Sequence, residues 1–158
     1  KNKGPVNIWR YDFEADEWKN DGLLQDEQIE RFYIIDGKLY AAGCDPKGSW
    51  DKGNFYVRNE NSWNEKRVLP GGIHNFDIIE FEGKLFAGTG VVGDDFPVAV
   101  STNGEIFEQV PFVKNDRIVV AGQNVINRVY DFFTLNDKLY AYNRFNNGNI
   151  CYMGNRFV

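Results

Sequence analysis

The sequence predicts an all-β protein, a β-propeller of four-stranded antiparallel blades, and three observations carry that prediction. A hairpin signal recurs, reading "IIDGKLYAAG" at Ile34–Gly43, "EFEGKLFAGTG" at Glu80–Gly90 and "TLNDKLYAYN" at Thr134–Asn143. A second pattern places an aromatic seven residues after an aromatic or aliphatic residue: Tyr11–Trp18, Tyr56–Trp63, Val100–Phe107 and Ile150–Phe157. The composition agrees: 16% of the 158 residues are aromatic and 16 are glycine, with no alanine-rich helical stretch, as expected of short strands joined by polar turns.

Each unit begins with an apolar run before the turn: Phe32–Ile35, Phe76–Phe81 and Tyr130–Leu135. The turn residues are Asp36-Gly37, Glu82-Gly83 and Asn136-Asp137, of which Asp-Gly and Asn-Asp tolerate the positive φ of a tight hairpin. The second strand is the Lys-Leu-aromatic-Ala run, so Leu39, Leu85 and Leu139 are one position in three copies. After a variable loop comes a third strand (Phe55–Arg58, Val98–Ser101, Ile150–Tyr152), and a polar turn leads to a fourth opened by Trp63, Phe107 or Phe157. Four short strands per repeat with an aromatic in the outer hairpin is a propeller-blade pattern. The two ends of the seven-residue offset are expected to pack on one sheet face.

The count gives about three and a half blades in a single domain spanning 1–158. A half-blade at 6–20 supplies strands three and four, and blades follow at 28–69, 73–112 and 127–158. Closed propellers have about four to eight blades. The expectation is therefore a partial ring, completed by missing blades or by self-assembly.

"YDFEADEW" resembles the Tyr-Asp…Trp segment of kelch repeats, although "AAG" and "AGTG" stand where kelch repeats carry a glycine doublet. "STNGEIF", Ser101–Phe107, resembles the aspartate-box turn of sialidase-like propellers, with Asn103 in place of the aspartate. The resemblance implies a propeller architecture. It transfers no activity, because such folds host enzymes, lectins and protein scaffolds alike.

Charge narrows the partners. The net charge of −5 is spread without a basic stripe, which argues against nucleic acid, and no apolar run is long enough to span a membrane. Cys44 and Cys151 fall in different repeats and are expected to be unpaired. The reading leans to a secreted or cell-surface setting.

Two places are candidates for a site. Aligned on the shared leucine, Arg31, Asp77 and Asp131 occupy one position of the inner strand, with Gln28, His74 and Arg128 three residues earlier. Arg31, His74, Asp77, Arg128 and Asp131 thus form a candidate ligand site at the channel mouth, against the plainer expectation that Asp77 and Asp131 brace neighbouring strand amides. The loops between strands two and three should form a rim, where Trp50, Asp51, Asp95, Phe96 and Phe145 suit sugar stacking or a protein hot spot. For any one rim aromatic, folding back to pin its own loop is the simpler expectation. No cofactor is implied. Asp94-Asp95 are the residues a calcium ion would use, although no loop has the ligand spacing of a known calcium motif. The expected function is a non-catalytic propeller binding glycan or protein, with a glycan hydrolase using a carboxylate site as the alternative. The reading leans away from catalysis.

Overall fold

The hairpin turns fix the frame of the computed structural model, which describes residues 5–26, 28–44, 52–90, 96–111, 113–114, 117–118, 128–143 and 148–158. Ile35 pairs with Lys38, Phe81 with Lys84 and Leu135 with Lys138, each pair closing a two-residue turn. Both central residues of every turn have positive φ: 48° and 71° at Asp36-Gly37, 50° and 68° at Glu82-Gly83, and 50° and 56° at Asn136-Asp137. That is the turn whose twist matches paired strands.

The fold is all-β and antiparallel, and no helix occurs among the described residues. In chain order the strands are β1 (Val6–Asp12), β2 (Glu17–Leu24), β3 (Gln28–Ile35), β4 (Lys38–Cys44), β5 (Lys52–Asn59), β6 (Ser62–Phe81) and β7 (Lys84–Gly90). They continue as β8 (Val98–Ser101), β9 (Glu108–Gln109), β10 (Val113–Lys114), β11 (Arg117–Ile118), β12 (Val129–Leu135), β13 (Lys138–Asn143) and β14 (Gly148–Cys151). β1 and β2 form one hairpin, β3 to β9 pair in sequence order, and β12-β13-β14 form a third sheet. A bridge between Tyr152 and Phe157 adds a short fourth element to that last sheet. The small β10–β11 pair stands apart.

The units expected at 28–69 and 73–112 share one strand, because β6 runs unbroken from Ser62 to Phe81. Its first arm pairs with β5 and its second with β7. The bend lies at Gly72 and His74, with φ of 76° and 59°. Gly72 is required there, since a Cβ would lie 2.1 Å from Thr89 Oγ1.

Three apolar clusters bury successive parts of the strand order against one another. The first joins Ile8 and Leu24 of the β1–β2 hairpin to Ala41, Tyr56 and Trp63. The second joins Tyr40, Ala42, Phe55, Val57 and Leu69 to Ile78, Leu85, Ala87, Ala99 and Phe107. The third joins Phe86, Val98 and Val110 to Val129, Phe132, Leu139, Ala141, Tyr152 and Phe157. Alternation explains the assignment: Leu85 and Ala87 face the preceding unit while Phe86 faces the following one.

The seven-residue offset is less uniform than expected. Tyr11 and Trp18 are direct cross-strand partners with ring centroids 5.2 Å apart, and Tyr56 and Trp63 share a cluster. Val100, however, packs towards the third cluster and Phe107 belongs to the second. The later aromatic is buried in three of the four copies, Trp63, Phe107 and Phe157, whereas Trp18 is exposed. Cys151 is a free thiol, while the side chain of Cys44 lies outside the description. Among the described residues no helix is long and apolar enough to cross a membrane.

Candidate functional site

Arg31, Asp77 and Asp131 are structurally equivalent. They pair with Ala42, Gly88 and Tyr142, in each case three residues beyond the shared leucine. β3, β6 and β12 each also have a register shift just before the charged residue, between Ile29 and Arg31, Ile73 and Asp77, and Val129 and Asp131. An irregularity of this kind bends the strand and re-aims the side chain that follows. Three repeated irregularities turn the three charged groups towards one another.

They meet at Asp77. Its Oδ1 accepts hydrogen bonds from the Tyr33 hydroxyl at 2.6 Å and from the Ile78 N–H at 3.0 Å. Its Oδ2 accepts one from the Phe132 N–H of β12 at 2.6 Å. The Arg31 guanidinium donates to Asp131 at 2.8 Å and lies 3.8 Å from Asp77. Asp77 is buried, whereas Arg31 and Asp131 are half exposed. A single buried carboxylate therefore ties β3, β6 and β12 together, and the bracing anticipated for Asp77 is present as its bond to the Phe132 amide.

Burial pushes the Asp77 carboxyl up to about 6, with the neighbouring Asp131 carboxylate adding to the rise; the Tyr33 and Phe132 donors pull the other way. Burial, then the same carboxylate, raises the Tyr33 phenol. The hydrogen bond from Arg31 to Asp131 raises the guanidinium further, so it stays charged.

The other two members of the expected channel-mouth set form an adjoining aromatic group. His74 lies 5.4 Å from the Phe76 ring, and Phe76 lies 4.7 Å from Tyr130. Arg128 sits over Phe76 at 5.8 Å and donates to the Tyr130 hydroxyl at 3.2 Å. Sequence reading missed Tyr33, Phe76 and Tyr130. All three lie in inner strands within two residues of a charged position, and that proximity was the available signal.

Of the rim residues, Phe96 is described: it is half-buried and packs against the third apolar cluster. Trp50, Asp51, Asp95 and Phe145 lie outside the described residues, as does Asp94. Among the described residues no group of three or more His, Cys, Asp or Glu is placed to hold a metal ion.

Concavities also occur elsewhere on the surface. One of 490 Å³ is lined by Lys84, Ser101, Asn103, Gln109 and Tyr152 beside the outer strands. It borders the turn that resembles an aspartate box. There Asn103 Oδ1 accepts the N–H groups of Glu105 and Ile106 at 2.9 and 3.0 Å, and Ser101 Oγ accepts that of Gly104 at 2.9 Å. An asparagine oxygen thus organises the turn as a carboxylate would. No known protein family matches this chain, and no curated protein sequence matches it.

Proposed function

We propose that the chain is a segment of a β-propeller, related in its repeat to kelch-type proteins, that acts as a non-catalytic binding module for a glycan or protein. The blade reading takes β3, β4, β5 and the first arm of β6 as one blade, and the second arm of β6 with β7, β8 and β9 as the next. The β12–β13–β14 sheet with the Phe157 segment is the third, and β1–β2 supplies the outer half of another. Supporting this are the three equivalent hairpins and the apolar cluster between each unit and the next.

The observation that carries the binding reading is the division of labour among the charged groups. Asp77 engages both oxygens with strand and tyrosine donors, so most of its acceptor capacity goes to holding the strands together. Arg31 and Asp131 remain half exposed as an ion pair, and Phe76 and Tyr130, the residues before Asp77 and Asp131 in the chain, bring their rings together at 4.7 Å. That combination recognises hydroxyl-rich or peptide surfaces. A second reading, glycan hydrolysis, is favoured by one fact: Asp77 is raised to about 6 beside a second carboxylate, which suits a general acid.

Binding to glycan and peptide arrays tests both. A ligand retained by the chain and lost by Arg31→Ala, with no turnover of aryl glycosides, supports the binding module. Turnover that disappears in Asp77→Asn would replace it with the hydrolase.

A further inference from the structure

The β1–β2 hairpin differs from the other units in what its inner edge meets. β5, β8 and β14 each pair with the second strand of their own unit, namely β4, β7 and β13. Among the described residues β1 pairs with β2 alone, leaving the edge Val6–Asp12 without a strand. Beside that edge the first unit exposes apolar surface. Phe32 and Ile34 share a face with Ala41 and Leu39 through cross-strand pairing, yet they are 51% and 79% exposed. The positions equivalent to Phe32 are Ile78 and Phe132, at 2% and 6%. Those two are covered by the inner hairpin of the preceding unit: Tyr40 and Ala42 cluster with Ile78, and Phe86 and Ile79 with Phe132. At the first unit a cavity of 430 Å³ opens instead, lined among others by Ile8, Trp9, Arg10, Phe32, Leu39 and Trp63.

We infer that the β1 edge and the Phe32–Ile34 face together form a docking site for a β-hairpin of a partner polypeptide. Its sequence class is the one the other units carry: an apolar strand, a two-residue turn, then a Lys-Leu-aromatic-Ala strand. The second strand pairs antiparallel with β1, as β4 does with β5, and the first lies over Phe32 and Ile34. Main-chain bonds to the edge supply affinity, and the apolar face selects the hairpin's side chains. A second copy of this chain does not fit the role, because its hairpins β3–β4, β6–β7 and β12–β13 already pair with β5, β8 and β14. The strand pairing and the exposed apolar face are the basis of this inference, which stands whether or not the ligand reading above does.

The probe is a synthetic peptide of residues 129–143, added to the full chain while backbone amide exchange is followed. The expected result is at least about tenfold slower exchange within Val6–Asp12, lost when Phe32→Asp and Ile34→Asp are combined in the chain. A peptide carrying Phe133→Asp and Tyr140→Asp, on the face that would cover Phe32, gives the same test without altering the chain and should not bind. Three outcomes would overturn the inference. They are unchanged β1 exchange at saturating peptide, equal binding of the altered peptide, or β1 protection in the peptide-free chain that grows with chain concentration. The last would assign the edge to a second copy.

Discussion

The interface between the second and third units and the outward face of the third unit are built from the same strand positions, yet one is closed and the other open. Tyr40 and Phe86 follow the shared leucine in the first two units and are buried; the equivalent Tyr140 is half-buried and stacks on Phe133, at 5.2 Å and an interplanar angle of 10°. The next position but one shows it more sharply. It is Ala42 at the second cluster, Gly88 at the third, and an exposed Tyr142 on the open face. Residue size here follows how near the next sheet comes. A Cβ on Gly88 would lie 2.8 Å from the Val129 carbonyl, whereas Tyr142 is 45% exposed. Burial is decided by the neighbouring sheet, and the strand's own pattern only makes it available.

The largest test of that contrast is Phe86→Ala. Phe86 is fully buried, and its ring meets those of Tyr152, Phe132 and Phe157 at 4.9, 6.4 and 6.5 Å. Its loss should cost about 3–5 kcal/mol of unfolding free energy in a denaturant titration. A cost below about 1 kcal/mol would mean that the third unit does not fold against the second. Gly88→Ala comes next. Its added methyl meets backbone, which cannot rotate away, so about 1–3 kcal/mol is expected.

Much of this arrangement was legible in the sequence. The turns were, because positive φ at two successive residues leaves few residue choices, and Asp36-Gly37 and Asn136-Asp137 carry them openly. The equivalence of Arg31, Asp77 and Asp131 followed from spacing to one leucine, since hairpin register transmits that spacing without loss. The irregularities before those residues were not legible, because an extra residue in a strand has no fixed composition. Nor was the continuity of β6 through Pro70-Gly71-Gly72, where residues that usually break a strand sit at a bend within one. Tyr33 escaped notice because a tyrosine amid an apolar run reads as core. Half of it is core, and its hydroxyl reaches Asp77.

pH separates the inner junction from the outer hairpin with opposite signs. Asp77 is raised to about 6, so between its ordinary value and 6 the folded chain holds a proton that the unfolded chain has released. The stability this group contributes is complete at low pH and declines as pH rises through about 6. Asp12 is held down to about 2, first by its hydrogen bond from Lys19 and then by the Ala15 N–H. Its contribution is present above the ordinary carboxylate value and is lost as pH falls through about 2. Denaturant titrations from pH 4 to 7 should show wild type losing stability relative to Asp77→Asn, with Asp12→Asn giving no trend in that window. A wild type that gains on Asp77→Asn as pH rises would mean that Arg31, Tyr33 and the two amides outweigh burial.

The smallest effect is the one that bears most on the open face. Phe133→Ala and Tyr142→Ala remove aromatic area that is already partly in water, so less than the full burial contribution of a side chain is at stake. Each should change the unfolding free energy by no more than about 1 kcal/mol in dilute solution, against several for Phe86→Ala at the closed interface. The measurement is informative because it depends on what covers the face. If the chain self-associates through Phe133, Leu135, Tyr140 and Tyr142, these substitutions will cost more as protein concentration rises, since association adds stability by mass action. A cost that is small and independent of concentration keeps the two surfaces distinct. One that grows towards the Phe86 value makes the outward face a fourth interface, built from the same alternation as the three within the chain.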